Sequence, residues 1–323
     1  MRLQIVVPTV KGREAWLDAC LASICQQIHF GQAELKVSGN GTEESSREIA
    51  EAYQTRFVLR PERLTAEEHA KILVAEATTE ASYCWLIADD DLMAPGGFEA
   101  VMSHLPMEHG SAHKVAALIG RARYFRGDAV ANLREIVPSN DMWSPGRCEH
   151  LGEVGLATRG QARIGAFVFA TGLFGPRDMD RYNGTSHGLF GGFWDGLAAS
   201  PRPVVVLPDP LVFLRDEEKE WDESRVVTLL GRRTYAELLP REIKEHLPPE
   251  VKRLTRSKAL ALAASSRADE RELLKQLLSS YSTFENGSRL LARLPPLVAR
   301  FSLPIFRKLM ARIDSLYVLI LRH

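Results

Sequence analysis

Over roughly its first 105 residues the chain alternates short runs of apolar, β-favouring residues with polar turns and with longer stretches whose apolar residues recur at helical spacing. The first unit is the apolar run Leu3 to Val7, the turn Pro8-Thr9, and a predicted helix that presents Leu17, Leu21 and Ile24 on one face with Cys20 and Cys25 alongside. The second is Leu35 to Ser38, the turn Gly39-Asn40-Gly41, and a helix predicted to be capped by Thr42, with Glu43 and Glu44 in its first turn. The third is Phe57 to Leu59 followed by a helix that opens on Thr65-Ala66-Glu67-Glu68, a capping box. A fourth apolar run, Tyr83 to Ala88, leads straight into Asp89, Asp90 and Asp91.

Strand-helix-strand repetition of this kind predicts an α/β fold with a mostly parallel central sheet flanked by helices. Because crossovers between parallel strands are right-handed, the four strand ends fall on one edge of the sheet, the edge where such sheets bind ligands. Pro8, Thr9, Gly39, Asn40 and the aspartates are therefore expected to converge there, with Arg60 at the end of the third strand and His69 in the helix after it facing the same crevice. Three adjacent carboxylates repel one another, so a fold that gathers them at a strand end is expected to hold a cation or a ribose hydroxyl between them. The plainer readings are a solvated turn or a helix cap for the aspartates, ordinary Asn-Gly turn chemistry at residues 39 to 41, and a packing role for His69.

Further along, the elements shorten. Strands are predicted near Val115 to Ile119, Ala166 to Phe169 and Val204 to Leu207, a helix near Gly188 to Ala198, and another strand at Leu211 to Arg215 that runs into the charged loop 216 to 220 and Trp221. Beyond about residue 225 the pattern turns helical and ends in a basic, apolar tail, with Arg289, Arg293, Arg300, Arg307, Lys308, Arg312 and Arg322 against Asp314. The chain thus divides into 1–105, 106–224 and a C-terminal helical extension, 225–323. The tail reads equally as an amphipathic helix on anionic lipid, a packed subdomain or a contact with a second copy of the chain, so a homo-oligomer stays open.

The balance of 41 basic and 41 acidic residues in 323 removes the cationic surplus that nucleic-acid phosphates demand. No CxxC pair occurs among the four cysteines, which read as reduced packing residues, and no apolar run reaches the 18 or so residues of a membrane span. The expectation is a cytoplasmic protein, held at the inner face of the membrane if the tail binds lipid.

Three motifs in this order resemble the nucleotide-sugar glycosyltransferases of family 2: Ile5-Val6-Val7-Pro8-Thr9, Val37-Ser38-Gly39-Asn40-Gly41-Thr42, and Trp85 to Asp91 followed by Pro95-Gly96. More weakly, Tyr182 to His187 and Pro210 to Arg215 with Trp221 resemble its bacterial surface-polysaccharide branch, similar to abequosyltransferase-type enzymes. The resemblance implies a GT-A fold and an inverting, metal-dependent transfer of sugar from a nucleotide-sugar donor to a hydroxyl of a surface glycan or lipid-linked acceptor. It implies Asp89 and Asp90 near the ribose or base, Asp91 with Asp89 at a Mn²⁺ or Mg²⁺ ion, and donor contacts from Pro8, Thr9, Gly39, Asn40, Arg60 and His69. Where the family carries a base-reading carboxylate this chain has Gly39, and the usual Glu-Asp pair for the catalytic base is absent, with His187 nearest its place. His187 and Asp195 are the candidate bases and Asp180 a third; Arg215 and Trp221 bracket a loop suited to closing over the donor. Two alternatives stand beside this reading: a nucleotidyltransferase, for which Val10-Lys11-Gly12-Arg13 would be a thin phosphate loop, and a non-catalytic scaffold of the same fold.

Overall fold

The computed structural model describes residues 3–28, 31–41, 44–105, 115–125, 143–160, 163–185, 187–215 and 234–247. The predicted cap at Thr42, the acidic loop 216–220, Trp221 and the basic tail lie outside them. The chain forms two compact units, one of Met1–Glu220 with Thr234–Pro248 and one of Trp221–Arg233 with Pro249–His323, and the described residues belong to the first.

That unit is built on one mixed sheet. Strands β1 (Leu3–Val10), β2 (Ala33–Asn40), β3 (Arg56–Arg60) and β4 (Tyr83–Leu86) alternate with helices α1 (Glu14–Cys25), α2 (Glu44–Ala52) and α3 (Ala66–Glu80). All four strands run parallel, in the spatial order β3-β2-β1-β4, so their C-terminal ends share one edge as the alternation predicts. After β4 come the two-residue β5 (Leu92–Met93), α4 (Gly97–His104), β6 (Ala117–Phe125), β7 (Gly146–Cys148), α5 (Leu151–Thr158), β8 (Phe167–Ala170), α6 (Pro176–Asp180), α7 (Gly188–Ala199), β9 (Val204–Arg215) and α8 (Arg241–Lys244). They extend the sheet as β4-β8-β6-β9-β5, with β7 also on β9. Strand β8 is antiparallel to both β4 and β6.

The elements form where local chemistry and burial agree. Thr65 caps α3 through the reciprocal box with Glu68, and α1 buries Leu17, Cys20, Leu21 and Ile24 at helical spacing against the sheet. Strands β4 and β8 are buried throughout, as interior strands of a sheet covered on both faces must be. Helix α7 lies so close to the segment before it that a Cβ added at Gly191 would sit 2.2 Å from the Tyr182 ring.

The sequence pattern predicts two strands where the structure has the single β9. Pro208 and Pro210 interrupt the apolar run, yet they fall where the parallel pairing with β6 shifts register around Arg121, so the N–H groups they lack are lost at an irregularity in the ladder. Residues 234–247 belong to the same unit, where α8 approaches α5 closely enough that a Cβ at Gly155 would meet the Glu242 carbonyl at 2.7 Å. Among the described residues no helix is long and apolar enough to cross a membrane.

Candidate active site

The aspartates sit in the turn that ends β4. The Ile87 N–H still bonds to the Val6 carbonyl of β1, and the Asp91 N–H then closes the turn onto Ala88 O at 3.0 Å. Asp89 and Asp90 are each 1% exposed and Asp91 5%, so neither a solvated turn nor a surface cap describes them. Burial of carboxylates demands compensation, and it comes from three neighbouring elements. From the end of β1, Thr9 donates its hydroxyl to Asp89 Oδ2 at 2.8 Å. From the turn after it, Arg13 Nη1 donates to Asp89 Oδ1 at 2.7 Å. From the end of β9, the Arg215 N–H donates to Asp91 Oδ1 at 3.2 Å and its Nε to the Asp90 carbonyl at 3.2 Å.

Both guanidinium groups lie over Trp16 of α1, Arg13 at 5.4 Å and Arg215 at 5.5 Å, and Arg215 also lies 4.8 Å from the Phe125 ring. Desolvation pushes the Asp89 carboxyl above its ordinary value, and Arg13 and Thr9 pull the other way. Burial works to lower the Arg13 pKa, but the three carboxylates outweigh it and raise it.

Arg60, His69 and Asn40 gather at the ends of β2 and β3. His69 is buried, with Nε2 2.8 Å from Ser38 Oγ, and burial followed by the charge of Arg60 lowers its pKa to about 4. It is a neutral ring at pH 7 that ties α3 to β2. Arg60 pairs with Glu76, which also accepts from the buried Lys36 at 3.0 Å. Desolvation opposes the Glu76 charge, yet those two cations hold its pKa below the usual value. Asn40 accepts from the Leu64 N–H at 2.7 Å and donates to the Leu64 carbonyl at 3.0 Å, which pins the loop after β3. Pro8 and Gly39 pair across the sheet with Ser38 and, in β1, Thr9.

The depressed His69 pKa makes a stability prediction. As pH falls from about 6.5 towards 4 the unfolded chain takes up a proton that the native state refuses, so a contribution of up to about 3 kcal/mol, complete at pH 7, is lost across that window. Denaturant unfolding at pH 7 and pH 4.5 should therefore fall less steeply for His69→Gln than for the wild type, and equal falls would show that this ring titrates normally.

The candidate bases lie elsewhere. His187 is the N-terminal cap residue of α7, its ring edge-on to Tyr235 at 4.9 Å and to Phe190 at 6.1 Å. Asp195, two turns further along α7, accepts the Tyr182 hydroxyl at 2.9 Å and pairs with Arg181 at 3.2 Å. Asp180 is bonded by Lys71 of α3 at 2.6 Å, which holds its carboxyl below the usual range. Helix α3 thus carries His69 against Ser38 of β2 and touches α6 and α7 as well.

The structure therefore brings together Thr9, Asp89, Asp90 and Asp91, and adds Trp16 and Phe125, which the sequence motifs do not single out, and Arg13, which they read only as part of a thin phosphate loop. The one available signal was the basic turn at residues 11 to 13, and there it points to phosphate rather than to a carboxylate 76 positions away.

With this geometry in view, the class follows. Residues 4–131 match the family described as Glycosyl transferase family 2, so this part of the chain is a glycosyltransferase domain, and the fold is that of GT-A glycosyltransferases. Among solved structures it is similar to S. aureus TarS 1-349 in complex with UDP-GlcNAc, at 12% identity over 86% of this chain and 80% of that one with a TM-score of 0.58. It is also similar to S. aureus TarS, at 13% identity over 84% of this chain and 47% of that one with a TM-score of 0.55. At such identities the likeness speaks to fold alone. A search of curated proteins found no match.

Proposed function

We propose that the enzyme transfers a sugar from a nucleoside-diphosphate donor to a hydroxyl of a surface glycan or lipid-linked acceptor, with inversion, and that Asp91 holds a divalent cation. The observation that carries this reading is the buried Asp89–Asp91 turn at the C-terminal edge of the parallel strands, with Arg13 and Arg215 against it. The UDP-GlcNAc complex of the similar TarS fold supports a nucleotide-sugar donor.

Among the described residues no three His, Cys, Asp or Glu side chains form a metal cage. One or two hard carboxylate oxygens nevertheless fit Mg²⁺ or Mn²⁺, which take much of their coordination from substrate phosphates and water. When bound, such an ion neutralises the charge that develops on the departing diphosphate.

The protein's own part is positional and basic. Thr9 and Arg13 fix Asp89, and Arg215 fixes the backbone of Asp90 and the carboxylate of Asp91, so the turn is set before the donor arrives. As the acceptor oxygen attacks the anomeric carbon, the bond from that carbon to the diphosphate oxygen breaks, and the hydroxyl proton passes to a ring nitrogen of His187. His187 is preferred to Asp195 and Asp180 for its place as the N-terminal cap residue of α7, and both aspartates are paired with cations.

Incubation with a panel of UDP-, GDP-, CDP- and dTDP-sugars plus Mn²⁺ should give nucleoside diphosphate release with one donor class. Absence of release from every donor, together with flat calorimetric traces for all four nucleoside diphosphates, would overturn the reading.

A further inference from the structure

We propose that Arg13 is a resident counter-ion of the aspartate turn that competes with the divalent cation for it and so weakens metal binding. The inference rests on the reading that Asp91 is the metal residue, and it adds a determinant of metal affinity to that site.

Both Asp89 oxygens are engaged, Oδ2 by the Thr9 hydroxyl and Oδ1 by Arg13. A cation drawing on Asp89 must therefore displace the guanidinium, and one bound at Asp91 alone must tolerate a full positive charge on the neighbouring carboxylate. The environment magnifies that conflict, because Asp89 is 1% exposed and charges interact more strongly away from water. Asp89 is the acid to which Arg13 bonds in the turn, Asp90 and Asp91 attract it through space, and its guanidinium lies over the neutral ring of Trp16. Its side chain is one-third exposed, which leaves it room to swing out of the turn when an ion or a phosphate arrives.

Arg215 behaves differently. It reaches the turn through its backbone N–H on Asp91 and its Nε on a carbonyl, so its hydrogen bonds do not occupy Asp89. Thr9 supplies a hydroxyl without charge. Of the groups bonded to the Asp89 carboxylate, Arg13 is the one whose removal leaves a negative charge for a metal to answer.

The test uses Mn²⁺ alone as the probe, with the signal of unbound Mn²⁺ read by electron paramagnetic resonance against the full-length protein and its Arg13→Gln, Arg13→Lys and Asp91→Asn variants. Arg13→Gln should bind Mn²⁺ about tenfold more tightly than the wild type, as expected for relief of a nearby like charge. Arg13→Lys, which keeps the charge, should stay close to the wild type, and Asp91→Asn should lose binding. A second readout is thermal unfolding, where added Mn²⁺ should raise the midpoint more for Arg13→Gln than for the wild type. Unchanged or weaker affinity in Arg13→Gln, with Asp91→Asn still losing the ion, would overturn this inference and leave the metal reading standing. Failure of the wild type to bind Mn²⁺ at all would overturn both.

Discussion

Asp91→Asn is expected to lower sugar transfer by about a thousandfold or more, the scale lost when a developing charge in a closed site loses its stabilising group. Asparagine keeps an oxygen to accept the Arg215 N–H, which now bonds Asp91 Oδ1 at 3.2 Å, so the turn keeps its shape while the charge is gone. An alanine there would also orphan a buried donor and confuse chemistry with folding. Nucleoside diphosphate release at saturating donor and Mn²⁺, with circular dichroism to confirm the fold, is the measurement. A rate near the wild type would remove Asp91 from the metal role.

Trp85→Ala should be among the most destabilising single changes in the unit, by about 3–5 kcal/mol. The indole is fully buried in β4, between β1 and β8, and its Nε1 donates to the Gly165 carbonyl at 2.7 Å. Truncation opens a large cavity and strips a buried carbonyl of its donor at once. In a unit of this size a loss of that order lowers the melting temperature by roughly 10 °C. Trp85→Phe should cost about 1–3 kcal/mol, chiefly the missing hydrogen bond. Because the aspartate turn begins four residues on, donor binding should weaken along with stability. Differential scanning calorimetry of both variants checks the prediction, and an alanine variant that melts with the wild type would show that the indole is not a keystone of the sheet.

The parallel half of the fold was legible because each of its elements states its role locally. Strand runs, the Thr65 capping box and the helical spacing of Leu17, Leu21 and Ile24 act over a few residues, and the crossover rule alone then brings the strand ends to one edge. The antiparallel half was harder. Strands β5 and β7 span two and three residues, too short to show a period, and the prolines in β9 imitate a break that a register shift on β6 absorbs.

At the site, the aspartates announced themselves by their number and position. Arg13 and Trp16 did not, because their role is a contact between distant positions that neither spacing nor composition encodes. His69 was open to a crevice role or a packing role from sequence, and its bond to Ser38 of β2 is a contact that spacing alone does not encode.

Glu76 receives charge from two adjacent strands, Lys36 of β2 and Arg60 of β3. No one of the three can change sign or length without disturbing a partner on another element, and the ammonium of Lys36, with its residue 0% exposed, has no route to water as a refuge. In the history of this lineage these positions should therefore have been exchanged together or left alone, a coupled trio in which drift at one site is arrested by the other two.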